Sequence, residues 1–335
     1  MIRGFLSRLL VVFGGTSIVL AAAWSQTQAP VSGIAAVADP SFTMPRTPWG
    51  DPDIQGVWDY RTITPTQRSP QFGDREFYTD EEIAELEARA RSRMENPPDE
   101  NTPANLVHAQ YITDPGTEVD ESRRTSLIID PPNGRMPDSV GGRGGGRGGF
   151  GGMGGRSQDP ARPWLGMPLL QRCISQGFPR SIMPTLYNNN IKITQSPGYV
   201  AITHEMVHET RVVPLDGREF TGLGGYMGES RGHWEGDTLV VETRHLNDSV
   251  GYGGADENLK VTERYTLISP DRIDFRMTFE DETVWTQPWT VAYLMRPTEG
   301  GFYEYACHEG NRGLYNILEN IVAEREQAAG ADAGE

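Results

Sequence analysis

The chain of 335 residues is 37% hydrophobic and carries a formal net charge of -16 at neutral pH. This apolar content supports the core of one large domain or of two average ones, and it excludes a wholly disordered chain. The excess of acidic residues argues against a nucleic acid or an anionic membrane surface as the partner, because both would be repelled.

The N-terminus has the organisation of a secretory signal peptide. The segment MIRGFLSR supplies two arginines, the short apolar run LLVVFGGTSIVLAAA follows, and small and polar residues come next. The apolar run is shorter than the roughly 20 residues of a membrane span. We therefore expect a cleaved signal peptide, no membrane attachment after cleavage, and a periplasmic or secreted mature protein. An uncleaved membrane anchor is the alternative.

The rest of the chain divides by composition. In YTDEEIAELEARARSR, Thr79 and Glu82 fit the capping box of a helix. The segment TSLIID is a short apolar strand that ends at Pro131. The tract GGRGGGRGGFGGMGGR is typical of a flexible surface loop, although it also resembles the arginine–glycine segments of RNA-binding proteins. We predict a signal peptide at 1–29, an extended region with one helix at 30–140, a Gly/Arg-rich loop at 141–160, an antiparallel β domain with a C-terminal helix at 161–325, and a disordered tail at 326–335.

From residue 190 onward, strand-like segments alternate with turn signals. Eight segments follow one another: IKITQ, YVAITHEMVHETRVVPL, SRGHW, DTLVVETRHL, LKVTERYTLI, RIDFRMTFED, VWTQPWTVAYLM and FYEYACHE. Sequential hairpins of this kind predict a mainly β fold, either an antiparallel up-and-down barrel or a strongly curled sheet.

Period-two alternation predicts which side chains face the interior. In LKVTERYTLI the apolar face carries Leu259, Val261, Glu263, Tyr265 and Leu267, so Glu263 is a carboxylate on an apolar wall. In RIDFRMTF the inward set is Ile273, Phe275, Met277 and Phe279. Pro288 implies a bulge or an edge between Trp285 and Trp289.

The stretch AITHEMVHETR contains the metallopeptidase motif H-E-x-x-H at His204, Glu205 and His208. That motif binds zinc on a helix, where residues i and i+4 lie about 6 Å apart along the axis. On a strand the same residues are about 13 Å apart, too far for two ligands at about 2.0–2.1 Å from one ion. The β-branched residues and the preceding proline–glycine turn favour a strand. As a strand it would turn His204, Met206 and His208 inward and Glu205 and Glu209 outward.

The segment YEYACHEGNRG gathers a second set of polar residues after the last predicted strand. Loops at the mouth of a barrel often hold ligand contacts. His308 and Glu309 would serve as a metal pair or a proton relay, or else cap the helix-like segment RGLYNILENIVAERE.

Cys173 and Cys307 are the only cysteines. In an exported protein they meet oxidising conditions, so we expect a disulfide, with two buried free thiols as the alternative. No CxxC or other metal-type cysteine pair is present.

Several phrases between about residues 45 and 320 resemble a widespread group of exported bacterial proteins for which no activity is established. They are RTPWGDPDIQGVW, SLIIDPPNGRMP, NNNIKITQSPGYV, VPLDGRE, MGESRGHWEGDTLVVET, TVWTQPWTV and YEYACHEGNRGL. The group often has another residue in place of His204 but resembles this chain at Glu205, Met206 and His208, which argues further against a zinc pair. By strand count the β part also resembles the calycin architecture of lipocalins and fatty-acid-binding proteins, an analogy of fold that implies no particular function.

The leading hypothesis from these residues is an exported lyase, isomerase or hydratase that needs no metal or other cofactor and acts on a small, partly apolar organic molecule. Titratable residues on apolar strand faces support it. The predicted catalytic residues are His208, His204, Glu263 and His308, and the predicted substrate-binding residues are Met206, Arg211, Tyr265, Trp285, Trp289 and Glu309. Each histidine could instead be a core residue whose hydrogen bonds are satisfied.

Two other functions remain open at this stage. The first is a periplasmic protein that binds a small organic molecule without chemistry. The second is a zinc enzyme, with the metal on His204 and His208 or on a regrouped set that includes His233 and His308.

Overall fold

The computed structural model describes residues 39, 41–96, 114–142, 167–298 and 300–332. The predicted signal peptide and most of the Gly/Arg-rich loop lie outside the described residues. Within the described part of the chain, no helix is both long and apolar enough to cross a membrane.

The fold is mainly β, as predicted, and the described residues form ten strands and two α-helices. In chain order the elements are β1 (Gly56–Asp59), α1 (Asp80–Glu95), β2 (Ile128–Asp130), β3 (Asn190–Ser196), β4 (Tyr199–His204), β5 (Thr210–Pro214), β6 (Glu229–Glu235), β7 (Thr238–Arg244), β8 (Lys260–Ser269), β9 (Arg272–Glu280), β10 (Trp289–Pro297) and α2 (Arg312–Asp332).

Nine strands form a nearly closed antiparallel barrel in the order β5-β4-β3-β1-β10-β9-β8-β7-β6, and β2 pairs with β10 beside this path. Two meanders, β3–β5 and β6–β10, are joined by β1, which pairs with both β3 and β10. At the remaining seam, β5 and β6 share no hydrogen-bonded ladder but lie close together. A Cβ atom on Gly232 of β6 would lie only 2.7 Å from Val213 Cγ1 of β5, so a glycine allows the edges to meet.

The interior of the barrel is filled by the side chains that alternation predicted. All five members of the β8 set and all four of the β9 set are buried. The rings of Tyr265, Phe275 and Tyr293 follow one another across three strands, with successive centroids 4.9 Å apart. Each fully buried side chain of this size contributes roughly 1.5–3 kcal/mol by removal of apolar surface from water. The barrel is therefore a packed core over this region.

A segment that precedes β3, residues 175–183, packs into the barrel and is called the plug here. Phe178 and Ile182 are fully buried. The hydroxyls of Tyr60 and Tyr293 donate to the carbonyls of Ser181 and Ile182 respectively. Aromatic side chains of the wall thus satisfy the backbone of the plug, which fixes the plug inside the barrel.

Helix α1 begins as predicted. The Thr79 hydroxyl accepts from the backbone N–H of Glu82, and the Glu82 carboxylate accepts from the N–H of Thr79, which completes the capping box. The helix buries no side chain fully. It lies on the outside of the fold, where the Glu87 carboxylate accepts from the Val119 N–H at 3.2 Å.

Two of the eight predicted strand segments are wrong in detail. The long segment 199–215 is two strands, because the chain turns sharply between His204 and Thr210. The last segment, FYEYACHE, contains no strand. In VWTQPWTVAYLM the strand starts only at Trp289, after Pro288, as expected for a residue that cannot donate to a ladder.

Candidate functional site

The centre of the barrel holds a buried ion pair between Arg211 of β5 and Glu263 of β8. Arg211 Nη1 donates to Glu263 Oε2 at 2.6 Å, and Nη2 donates to Oε1 at 2.7 Å. The guanidinium also lies over the Phe178 ring, 4.0 Å from its centroid. The pair explains how a carboxylate can occupy an apolar wall, since a buried charge needs a partner with good geometry.

Neighbouring hydroxyls complete the hydrogen bonds of this pair. The Tyr265 hydroxyl donates to Glu263 Oε1 at 2.7 Å. Arg211 Nη1 also donates to Thr243 Oγ1, which exchanges a hydrogen bond of 2.9 Å with Ser230 Oγ. Burial and the negative charge of Glu263 raise the pKa of Tyr265 well above its ordinary value, so this phenol stays protonated and acts as a donor.

His204 is a further polar member of the barrel interior and is fully buried. Its Nδ1 lies 3.0 Å from the Ser181 carbonyl oxygen, and its Nε2 lies 3.3 Å from Arg211 Nε. Since a carbonyl only accepts and a guanidinium only donates, Nδ1 carries the proton and Nε2 accepts. Burial, reinforced by the charge of Arg211, lowers the pKa of His204 to about 3, so the ring is neutral at physiological pH.

The barrel therefore brings His204, Arg211, Glu263 and Tyr265 together in one closed network. Arg211 separates His204 from Glu263 and donates to both. The Nε2 lone pair of His204 is used by Arg211, and both oxygens of Glu263 are used as well. The arrangement stabilises the barrel interior and leaves little capacity for proton transfer to a ligand.

The five residues between β4 and β5, residues 205–209, form a strained turn. Val207 and His208 have φ values of 60° and 53°, in the left-handed region. This conformation is uncommon for residues other than glycine and is a true outlier for a β-branched residue. Glu205 is buried and accepts from Asn190 Nδ2 at 2.7 Å, so the expectation that it would point outward is wrong. Met206 is buried too, as expected.

The turn places His208 at the surface, half-buried, rather than inside the barrel with His204. Its Nδ1 accepts from the backbone N–H of Tyr305 at 2.8 Å, and its ring meets Phe302 edge to face with centroids 5.5 Å apart. In the neutral imidazole the proton must then lie on Nε2, which has no partner among the described residues. Burial and the neighbouring Tyr187 phenol raise the pKa of Tyr305, so these two phenols lie next to each other. We call His208, Phe302, Tyr305 and Tyr187 the His208 surface.

Glu209 ends the turn and attaches it to the plug. Its carboxylate accepts from Ser175 Oγ at 2.5 Å and from the Gln176 N–H at 2.8 Å. Burial raises the pKa of Glu209, while the hydrogen bonds from the plug oppose that shift. The turn and the plug are therefore one connected unit. Glu209 points into this unit and is half-buried, contrary to the outward position expected.

The remaining predicted polar residues lie elsewhere. His308 and Glu309 are exposed in the loop before α2. His233 is exposed on β6, where it pairs with Glu235. Across the described residues, no three histidine, cysteine, aspartate or glutamate side chains are grouped so that they could hold a metal ion. The histidines of the H-E-x-x-H stretch lie in two different environments.

Trp285 and Trp289 are buried, as expected, and belong to an aromatic cluster. The Trp289 ring stacks on Phe279 with centroids 3.9 Å apart and meets Trp285 edge to face. Tyr252 packs against Phe279 and Trp289 from the loop that precedes β8. These rings are packed on one another, which makes them core residues of the barrel end.

The expected disulfide between Cys173 and Cys307 is present. It joins the chain just before the plug to the loop that carries Tyr305. Asn311 Nδ2 lies 3.2 Å from Cys173 Sγ, so the loop before α2 packs against the segment that precedes the plug. A disulfide is compatible with an exported protein.

Sequence reasoning missed Arg180 and Gln176. They lie in the segment SQGFPRSIM, which has no period-two or helical alternation and no recognisable motif. A segment without periodicity gives no sign that it enters a barrel, so the contribution of the plug could not be anticipated.

Comparison with known proteins gives no match for this chain, neither to a family model nor to a curated protein nor to a solved structure. The function must therefore be argued from the barrel, the plug and the turn themselves.

Proposed function

We propose that the protein is an exported, non-catalytic protein that binds a small, partly apolar organic molecule at the His208 surface. The observation that carries the proposal is the pair of consecutive left-handed residues, Val207 and His208. Strain of this kind costs about 1–3 kcal/mol at each residue, and such residues cluster at ligand sites. Here the strained turn positions an imidazole beside an aromatic ring.

The chemistry of the His208 surface suits recognition. The Tyr305 N–H fixes the His208 ring by its Nδ1 atom, so the neutral ring offers Nε2–H as a donor to a ligand. Phe302 supplies apolar area against the ring, and the adjacent phenols of Tyr305 and Tyr187 belong to the loop that the ring contacts and to its neighbour. Aromatic area with a few polar groups is the mixture common in small-molecule sites. A ligand with a carbonyl or hydroxyl acceptor on an apolar body matches these groups.

The barrel interior supports binding over the acid–base chemistry expected from the sequence. A general base needs a free lone pair within reach of the substrate. The Nε2 lone pair of His204 already accepts from Arg211, and Glu263 is fully buried in its ion pair. At the His208 surface the imidazole offers a donor in its neutral form.

Export is part of the same proposal. The order of charged, apolar and small residues at the N-terminus supports a signal peptide, and the Cys173–Cys307 disulfide fits the oxidising conditions outside the cytoplasm.

Native mass spectrometry of the protein purified from its producing cells tests the function. We expect a co-purified small molecule that stays chemically unchanged during prolonged incubation with the protein. His208→Asn should release the molecule, since asparagine tolerates the left-handed conformation but lacks the imidazole. His233→Asn is the matched control and should retain it, because His233 lies exposed on β6. Conversion of the molecule into a product would contradict a pure binding role, and equal retention by both variants would contradict the site.

A further inference from the structure

A small cavity lies between the plug and the loop before β8, on residues that the His208 surface does not include. Its volume is about 30 Å³, it is partly open to solvent, and most of its lining is polar. Gln176, Gly177 and Arg180 line it from the plug, and Ser249 and Gly251 line it from the loop. A cavity of this volume holds about two water molecules or one small polar group.

Arg180 has an unusual position for a half-buried arginine. Its guanidinium makes no hydrogen bond and no ion pair within the described part of the chain, and it lies over the Tyr252 ring, 5.7 Å from the centroid. Arg211 and Arg231, which are buried to a similar or greater degree, each bind a carboxylate. Burial lowers the pKa of Arg180, but a guanidinium remains charged. A charge withdrawn from water with no counter-ion among the described residues implies an anionic partner from outside them.

Gln176 supplies a second, independent sign of a ligand. The residue is 8% exposed, and its Oε1 atom is buried without a hydrogen-bond partner. Buried side-chain polar atoms are normally paired, so an unpaired one beside an unpaired guanidinium calls for an explanation. In the observed orientation Oε1 is an acceptor, and a half-turn of the amide on binding an anion would present Nε2 as a donor next to Arg180.

The carboxylate of Glu209 does not fill this role. It is bonded by Ser175 Oγ and by the backbone N–H of Gln176, and it forms no ion pair with Arg180. The plug therefore uses one set of donors to hold the turn and leaves a second set unused in the cavity.

We propose that this cavity binds the carboxylate group of a small organic acid, with Arg180 and Gln176 as its donors. A guanidinium presents two parallel N–H groups that match the two oxygens of a carboxylate. The limited volume favours a planar three-atom group over a tetrahedral phosphate or sulfate. The rest of the ligand extends through the open side toward solvent, so the site recognises the acid group and leaves the body of the molecule variable.

This inference does not depend on the proposed function at the His208 surface, because it uses none of the four residues of that surface. The two sites share a mechanical link through Glu209, which connects the turn to the plug. Variants at each site separate the two proposals.

Isothermal titration calorimetry of the full mature protein with sodium acetate, propionate, benzoate and phosphate, at constant ionic strength, tests the assignment. We expect saturable binding of the carboxylates and weaker binding of phosphate. Arg180→Gln should weaken carboxylate binding at least tenfold. Gln176→Leu should weaken it severalfold. Arg93→Gln, the matched control on the exposed face of α1, should leave it unchanged, and so should His233→Asn on β6.

Three results would overturn the proposal. They are the absence of saturable carboxylate binding to the unaltered protein, phosphate binding as tight as that of acetate, and undiminished binding by Arg180→Gln. If Arg180→Gln fails to fold, Arg180→Lys is the second test, because lysine keeps the charge but lacks the paired donors of arginine. Arg180→Lys should bind carboxylates more weakly than the unaltered protein, and equal binding would overturn the proposal.

Discussion

Arg211 on β5 and Glu263 on β8 meet across the interior of the barrel in a two-pronged ion pair, with N–O distances of 2.6 and 2.7 Å. The strands that carry them lie on opposite sides of the seam between β5 and β6, where no hydrogen-bonded ladder closes the barrel. The pair therefore joins the two meanders from within. It substitutes for part of the backbone pairing that the seam lacks.

Glu263→Gln should destabilise the protein by about 3–5 kcal/mol, because it leaves the Arg211 guanidinium charged and buried without a counter-ion. Urea unfolding followed by tryptophan fluorescence measures the loss. The double variant Arg211→Met with Glu263→Leu should lose less than either single change, since it removes both charges together.

The matched control for this pair is Arg264→Gln on the outer face of β8. Arg264 pairs with Glu235 where both side chains contact solvent, so its removal should cost about 1 kcal/mol or less. Equal losses for Arg264→Gln and Glu263→Gln would contradict the role of burial.

His204 should make the stability of the protein depend on pH. Its pKa is about 3 in the folded protein against 6.5 for the free side chain, so the unfolded chain binds more protons between these values. Stability attributable to His204 is therefore fully present above about pH 6.5 and is lost as the pH falls toward 3, by at most about 5 kcal/mol. Urea unfolding at a series of pH values measures this slope.

His204→Gln provides the reference for this change of the free energy of unfolding with pH. The variant keeps a polar side chain but does not titrate, so its stability should fall less steeply between pH 6.5 and 4 than that of the unaltered protein. Glu209 and Asp120, whose pKa values are raised by burial, are present in both proteins and cancel in the difference. Parallel curves for the two proteins would refute the assignment of a neutral, buried His204.

The strand pattern of this fold could be predicted from sequence where one face is uniformly buried. In β8 and β9 every second residue is buried, so alternation reveals strand, register and facing together. The capping box of α1 and the disulfide could also be predicted from the sequence, since each depends on a few residue types. Alternation and the capping box are local patterns, and a chain with only two cysteines can form only one disulfide within itself.

The turn between β4 and β5 could not be predicted by the same reasoning. The alternation of residue types continues through Met206 and His208, although the strand itself ends at His204. No residue type in this stretch indicates that Val207 adopts a left-handed conformation. That conformation is fixed by tertiary contacts, the Asn190 bond to Glu205 and the plug bonds to Glu209. The plug itself carries no periodic signal, and its place inside the barrel depends on wall tyrosines far away in sequence.

Removal of the disulfide by Cys173→Ser with Cys307→Ser should lower the free energy of unfolding by about 3–5 kcal/mol. The bond closes a loop with a sequence separation of 134 residues, and cross-links across long loops restrict the unfolded chain most. Urea unfolding in the absence of reductant measures the difference. Adding reductant to the unaltered protein should reproduce it, and no change in the midpoint under either condition would contradict a structural role.

Val207→Gly should stabilise the protein by about 0.5–1 kcal/mol, although glycine usually weakens a folded chain. The left-handed conformation destabilises a valine by roughly 1–2 kcal/mol through steric contacts of its Cβ atom, and glycine lacks that atom. The matched control is Val212→Gly on β5, an exposed position in extended conformation, which should lose about 1 kcal/mol because strand glycines cost entropy. Thermal unfolding of both variants, followed by circular dichroism, shows whether each change raises or lowers the stability of the protein. If Val207→Gly is destabilised as much as Val212→Gly, the turn is not strained, and the physical basis for placing a ligand site at His208 is lost.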